Sequence, residues 1–260
     1  MSRRTKIEEF DSHIDLLRQK IKDSSDLKVQ QAVFDTPTLM NLYALSSKGV
    51  IDALGGPLAT GKEANVFCAR GQGRDLAVKI YRIATSSFRA MQDYLIGDPR
   101  FGSVRGTRKA VISAWAKKEF RNLKRAEEAG VRVPHPLAVR ENILVMELVG
   151  EMPTPALPLK DVELDVEEAR RVYDKISDYI SLLYHRAGLV HADLSEFNIL
   201  YNLEPTLIDM GQSVTLDHPM AKKFLERDIA NLARYFKKAY GFGSEEEIWE
   251  RLQKKPGGSR

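Results

Sequence analysis

Two short stretches hold the residues best suited to chemistry: VHADLSEFNILY at 190–201 and LIDMGQ at 207–212. Asp193 and Asn198 stand five apart on what reads as one loop, and Asp209 follows after a hairpin just long enough to fold it back beside them. Phosphoryl transfer from a nucleotide needs such a set. One carboxylate orients the acceptor hydroxyl and takes its proton, while an amide and a second carboxylate hold Mg²⁺ on the phosphates. The order D-x4-N, hairpin, D therefore nominates Asp193 as catalytic aspartate and Asn198 and Asp209 as metal ligands.

The same order occurs in protein kinases, with HADLSEFN where HRDLxxxN would stand and IDMG where DFG would stand. Upstream, LAVKIY puts Lys79 on an apolar strand, the place of the kinase VAIK lysine. A lysine in such a strand needs an anionic partner, and Glu119 in KEFRNL is the choice. The bland alternative is an edge-strand lysine snorkelling to water. GPLATGKEANVF, residues 56–67, nearly spells a nucleoside-triphosphatase loop through Gly56, Gly61 and Lys62, but Glu63 replaces the Ser or Thr that reaches Mg²⁺. That loop must also feed a helix, and this one feeds a strand. A loop between antiparallel strands, covering phosphates with backbone N–H groups, is the better reading, although the kinase G-x-G-x-x-G is absent.

Other candidates read more plainly. His191 is expected to pack and hydrogen-bond within the catalytic loop, and His135, His185 and His218 show no metal-ligand spacing. Asp228 is either a surface helix acid or a holder of the catalytic loop's N–H groups. Cys68 on a strand is expected in the core.

These side chains need a scaffold. Residues 7–22 place Ile7, Phe10, Ile14, Leu17 and Ile21 on one helical face. Thr36 and Pro37 look like the cap and first position of a second helix that Gly49 closes. From 50 to 82, short β-branched and aromatic runs between glycines predict hairpin strands. Residues 84–110 read as a flexible insertion with a short helix near 87–95. A helix over 111–129 follows, then two strands in VRVPHPLAV and ENILVMELVG. EMPTPALPLK, with Pro153, Pro155 and Pro158, reads as a linker. Beyond it, Asp165 caps a helix ending at Gly188, ILYN and TLID form a hairpin around LEP, Pro219 opens another helix, and Ser244 with Glu247 forms a capping box. The expected organisation is α+β and two-lobed: a helical extension over 1–49, an antiparallel-sheet lobe over 50–150, and a helical lobe over 151–260.

Composition sets bounds. Hydrophobic residues at 43% and charged residues at 29% describe a globular protein with an ordinary core. No apolar run approaches the ~18 residues that span a bilayer, and the N-terminus lacks the apolar stretch of a secretory signal, so no membrane partner is expected. The lone Cys68 excludes an intramolecular disulfide, which points to the cytoplasm. A net charge of +4 permits a nucleic-acid partner without requiring one. Basic residues gather at Arg3, Arg4 and Lys6, at Arg105, Arg108 and Lys109, and at Lys117, Lys118, Arg121, Lys124 and Arg125. Such runs are more often solvated faces than binding patches.

Taken in order, ATGKEANVF, AVKIYR, KEFRNL, VMELVGE, VHADLSEFNIL and LIDMGQSVTLDHPMA resemble the first branch of the RIO family of atypical serine/threonine protein kinases. The resemblance implies a protein-kinase-like fold without the long activation loop. It also implies ATP with Mg²⁺ or Mn²⁺ as cofactors, and maturation of the small ribosomal subunit as the setting. The pre-small-subunit particle and its rRNA are then the expected partners. Position by position, it implies Lys79 as phosphate-binding lysine, backbone of Glu147 and Val149 at the adenine, and nucleotide contacts from Thr60, Gly61, Lys62 and Glu63. Val66, Ala77 and Met146 complete that set, with Glu119 beside Lys79. Asp209 becomes a possible aspartyl-phosphate acceptor, chemically reasonable for a carboxylate ionised far above its pKa of ~3.9. Ala59 departs from the family's serine. Ser195 stands where ordinary kinases keep a lysine, which implies turnover below their usual ~1–100 s⁻¹. Slow autophosphorylation is expected in 84–110, at Ser86, Ser87, Ser103 or Thr107. The rival readings are an ATP-gated assembly factor released by hydrolysis and a small-molecule phosphotransferase of the aminoglycoside or choline kinase type.

Overall fold

A computed structural model of the chain describes residues 34–83, 91, 92, 94, 95, 98 and 107–254. The expected helix over 7–22, the basic residues Arg3, Arg4, Lys6 and Arg105, and Ser86, Ser87 and Ser103 lie outside the described residues. The chain divides into two compact units. The first comprises residues 1–89, 105–117 and 136–148, the second 90–104, 118–135 and 149–260.

In the first unit, helix α1 (Thr36–Ser46) starts one residue earlier than expected. Asp35, not Thr36, is its N-cap, and the Asp35 carboxylate accepts the Thr38 N–H at 2.9 Å. A carboxylate both satisfies the orphan donor and suits the positive helix end, so it displaces threonine from that role. Strands β1 (Ala53–Thr60), β2 (Ala64–Gly71) and β3 (Arg74–Tyr81) follow as hairpins. Helix α2 (Arg108–Glu128) comes next, its residues to Lys117 in the first unit and the remainder in the second. Strands β4 (Pro136–Arg140) and β5 (Ile143–Glu147) complete an antiparallel sheet of order β1-β2-β3-β5-β4. Pro57 sits at a register shift in β1, an edge strand, where its missing N–H breaks no central ladder.

The sheet register sorts side chains by face. Phe67, Ala69, Leu76, Val78, Ile80, Ile143 and Val145 form one apolar core with Leu54 of β1 and with Leu42 and Leu45 of α1. Fully burying such a side chain stabilises by ~1.5–3 kcal/mol. Alternation sends Val66, Cys68, Ala77, Lys79, Leu144 and Met146 to the opposite face. Cys68 is therefore half-buried, not a core residue, and its thiol donates to Gly56 O at 3.3 Å.

The proline-rich stretch, in the second unit, is more ordered than a linker. β6 (Gly150–Glu151) pairs with β7 (Thr154–Pro155), and β8 (Leu157–Pro158) adds to the edge of a sheet made by the later strands β10 (Ile199–Asn202) and β11 (Glu204–Leu207), in the order β11-β10-β8. Pro155 and Pro158 lie in these short strands, where an absent N–H costs no central ladder bond, and Pro153 lies in the turn between β6 and β7. Helix α3 (Val166–Leu182) begins at Asp165, whose carboxylate accepts Glu168 N–H at 2.7 Å. Its last turn widens into a π turn over Leu183–Ala187 before Gly188, at φ 57°, ends it. β9 (Leu189–Val190), β10 (Ile199–Asn202), β11 (Glu204–Leu207) and β12 (Val214–Thr215) follow. The β10–β11 turn is tighter than the expected LEP: Asn202 pairs with Glu204, and Leu203 alone turns the chain at φ 62°. Helix α4 (Ala221–Tyr240) starts two residues after Pro219, and α5 (Glu245–Gln253) is capped by Ser244, which accepts Glu247 N–H at 3.2 Å.

Candidate active site

Two ladders bring the second unit's polar side chains together. β10 pairs with β11, and β9 pairs with β12 through Val190 opposite Val214. The loop carrying Asp193 runs from β9 to β10, and the loop carrying Asp209 runs from β11 to β12. Each loop is therefore anchored at both ends by the strands that anchor the other. Ile208 N–H donates to Asn198 O at 3.0 Å, and Ser213 Oγ donates to His191 O at 3.0 Å, which joins the loops directly.

Within that frame Asn198 Nδ2 donates to Asp193 O at 2.8 Å and to Asp193 Oδ2 at 3.0 Å. Gln212 Nε2 donates to the same Oδ2 at 3.1 Å. Sequence reading did not single out Gln212; its place three residues after Asp209 is the signal that could have done so. With its nitrogen committed to Asp193, Asn198 turns its own Oδ1 elsewhere, a hard oxygen suited to a cation. Ala192 and Asp209 both hold left-handed backbone, at φ 66° and 62°. For residues other than glycine this is costly, and such strain concentrates at functional sites.

The surrounding side chains lock the catalytic loop. Asp228 of α4 is buried, and its two oxygens accept Ala192 N–H at 2.7 Å and Leu194 N–H at 2.9 Å. Of its two readings, holder of the loop is the one observed. Burial pushes the Asp228 carboxyl up to about 7, against those two amide bonds and the neighbouring Arg227. Arg227 donates to Ala192 O and Asn231 to Leu194 O, neither foreseen from sequence. His191, buried, donates from Nε2 to Ile208 O at 3.1 Å, as a packing histidine should. Burial lowers its pKa to about 4, opposed by the Asp209 charge and by that carbonyl. Glu119, on α2 in this unit, is 1% exposed.

In the first unit, Val66, Ala77, Lys79 and Met146 share the sheet face opposite the α1 core, with Val66 opposite Lys79 and Ala77 opposite Met146. Lys79 is 8% exposed, and its ammonium lies 5.3 Å from the centre of the Tyr81 ring. Thr60 ends β1, and Gly61, Lys62 and Glu63 turn the chain into β2. The loop thus feeds a strand, as the Glu63 argument required. Gly61 N–H donates to Ala64 O at 3.0 Å, and a Cβ there would stand only 3.0 Å from that oxygen. The turn is tight enough to favour glycine. Glu147 ends β5, and Val149 O, in the second unit, accepts Ala156 N–H at 2.9 Å. Among the described residues no three His, Cys, Asp or Glu side chains gather as a self-sufficient metal site. Mg²⁺ commonly binds through one or two carboxylates plus phosphate oxygens, a pattern with which Asn198 and Asp209 are compatible.

Comparison with known proteins gives a consistent answer. The RIO domain matches residues 65–248. The chain is 48% identical over 242 residues to the RIO-type serine/threonine-protein kinase Rio1 of Haloferax volcanii, covering 92% of this chain and 82% of that protein. It is 42% identical over 226 residues to the Methanocaldococcus jannaschii protein of that name, covering 86% and 77%. It is 39% identical over 221 residues to the human serine/threonine-protein kinase RIO1, covering 84% of this chain and 39% of the human protein. A crystal structure of the Rio2 kinase from Chaetomium thermophilum, an ADP/Mg²⁺-phosphoaspartate complex, matches with a TM-score of 0.65 at 26% identity. That match covers 84% of this chain and 67% of the other. The fold is accordingly protein-kinase-like and α+β, and residues 210–220 alone separate Asp209 from α4.

Proposed function

The chain belongs to the RIO domain family, and from that premise we propose that it is an ATP- and Mg²⁺-dependent serine/threonine protein kinase with ATPase activity. The observation that carries this reading is the convergence of Asn198 and Gln212 on one oxygen of Asp193. Two amide donors on Oδ2 fix the carboxylate in place, and that carboxylate is the group that meets an acceptor hydroxyl and draws off its proton as the bond to phosphorus forms. Asn198 Oδ1 and the Asp209 carboxylate are the ligands for a cation. Mg²⁺, or Mn²⁺ in its place, would neutralise charge on the phosphates when bound. Lys79 is the phosphate-binding lysine. Val66, Ala77 and Met146 line the base, and the backbone of Glu147 and of Val149 holds its polar edge. Thr60, Gly61, Lys62 and Glu63 cover the phosphates with backbone.

The test is transfer of labelled γ-phosphate from ATP, by wild type and by Asp193→Ala, across a Mg²⁺ titration. Metal-dependent transfer that the variant loses supports the reading, and a wild type that neither binds nor turns over ATP overturns it.

We place the reaction in maturation of the small ribosomal subunit, in the cytoplasm, with the pre-subunit particle and its rRNA as partners. Family resemblance is the support. Among the described residues no helix is long and apolar enough to cross a membrane. Ser195, where ordinary kinases carry a lysine, favours a second form of the same reading: a slow, ATP-gated assembly factor whose hydrolysis triggers release. Asp209 then serves as transient phosphate acceptor. Retention of Asp193→Ala on purified particles, while wild type leaves on ATP addition, separates this from protein phosphorylation. Family membership takes the place of the small-molecule phosphotransferase alternative. Autophosphorylation within 84–110 is checked by phosphopeptide mapping.

A further inference from the structure

Lys118 and Asn122 lie one helical turn apart on α2, and both are fully buried. Lys118 Nζ donates to Gly211 O at 2.7 Å and to Ser213 O at 2.6 Å. Asn122 Nδ2 donates to Met210 O at 2.9 Å and to Ser213 O at 3.0 Å. Four hydrogen bonds from two side chains therefore grip three carbonyls in the four residues that follow Asp209. The acceptors in these four bonds are main-chain carbonyls, so the grip sets backbone direction. Immediately before it, Asp209 holds left-handed backbone, a conformation that an aspartate adopts at some cost and that neighbouring structure must enforce. Immediately within it, Gln212 reaches Asp193. A rotation of the 210–213 main chain would therefore move the Asp209 carboxylate and withdraw the Gln212 amide together.

We propose that Lys118 and Asn122 are positioning residues for phosphoryl transfer: by clamping the Met210, Gly211 and Ser213 carbonyls to α2, they aim the Asp209 carboxylate at the cation. The clamp makes the second half of α2 and the metal loop one rigid piece. Swinging that helix away from the loop would require breaking four buried hydrogen bonds, so the loop stands assembled before nucleotide arrives. This inference rests on the function proposed above.

The test uses the full chain carrying Asn122→Ala, with Lys118→Met as second variant and thermal melting to establish that each is folded. Partners that orient metal ligands typically account for 10–100-fold in metal affinity or activity. The Mg²⁺ concentration for half-maximal ATP turnover is accordingly expected to rise about ten-fold or more, with Mg²⁺-free ADP affinity held within about two-fold. Amide hydrogen exchange across 209–214 in nucleotide-free protein is expected to speed up, a readout independent of turnover. A variant whose turnover falls equally at every Mg²⁺ concentration, with unchanged half-saturation or unchanged exchange, overturns the proposal, because lost stability alone would do that. If Lys118→Met does not fold, Asn122→Ala decides. A wild type silent at all Mg²⁺ concentrations overturns the kinase reading and this inference with it, whereas an active wild type with unaltered variants overturns the inference alone.

Discussion

Asn198 grips Asp193 twice, through the main-chain carbonyl at 2.8 Å and through the carboxylate at 3.0 Å. The two residues that the D-x4-N spacing singled out are thus one mechanical object. The aspartate's side chain cannot rotate without breaking a bond to the residue assigned to the metal. This pairing supplies the first prediction. Asp193→Asn is expected to stay folded and bind ATP while phosphoryl transfer falls by roughly 10²–10⁴, the usual worth of a positioned acid or base. Calorimetric titration with ATP and single-turnover rates measure the two halves. A variant that retains near-wild-type rates sinks the role given to Asp193.

Gln212 holds the same carboxylate oxygen from the neighbouring loop. Gln212→Ala removes that donor, and kcat is expected to fall about ten-fold with little change in KM for ATP, since misorientation at the reacting group acts on the transition state. Steady-state kinetics check this, and a change confined to KM would contradict it.

Asp228 anchors the catalytic loop through Ala192 and Leu194. Asp228→Ala strands two buried N–H groups and is expected to cost about 2–6 kcal/mol, at 1–3 kcal/mol for each unsatisfied group. Urea unfolding midpoints measure it. A cost below about 0.5 kcal/mol, the range of an ordinary surface change, would mean the loop finds other acceptors.

His191 makes stability pH-dependent in a definite direction. Its folded pKa is lowered to about 4 from 6.5, so between those values the unfolded chain binds the extra proton. Stability is then fully present above pH ~6.5 and is lost as the solution is acidified. From pH 7 to 5 this group alone is expected to remove about 2 kcal/mol. His191→Gln, which keeps a donor for Ile208 O, lacks that contribution. Urea unfolding at both pH values should show the variant losing less than wild type, and parallel losses would refute the assignment.

Much of the fold was legible because it is written in short-range patterns. The β1–β2–β3 hairpins follow from period-two alternation between glycine turns, and Asp165 and Ser244 announced α3 and α5 by cap chemistry confined to three residues. Boundaries decided by competing neighbours were less readable. Thr36 and Asp35 are both good caps, and the carboxylate's charge tips the balance. EMPTPALPLK reads as a linker on proline content, yet β8 finds β10, a partner some forty residues on.

By itself, the sequence determined a candidate inventory, Asp193, Asn198, Asp209 and Lys79, in a kinase-like order. Type and spacing along the chain suffice for that, since each motif's local geometry is set within a few residues. Only the tertiary structure decided what holds the inventory in place. Lys118 and Asn122 meet carbonyls some ninety residues distant, and Asp228 meets amides more than thirty residues away. Such contacts are made to main-chain atoms, which every residue possesses, so no residue type at the receiving end advertises them. They exist because folding buries a polar side chain beside an unsatisfied backbone group, and each is costly without the other.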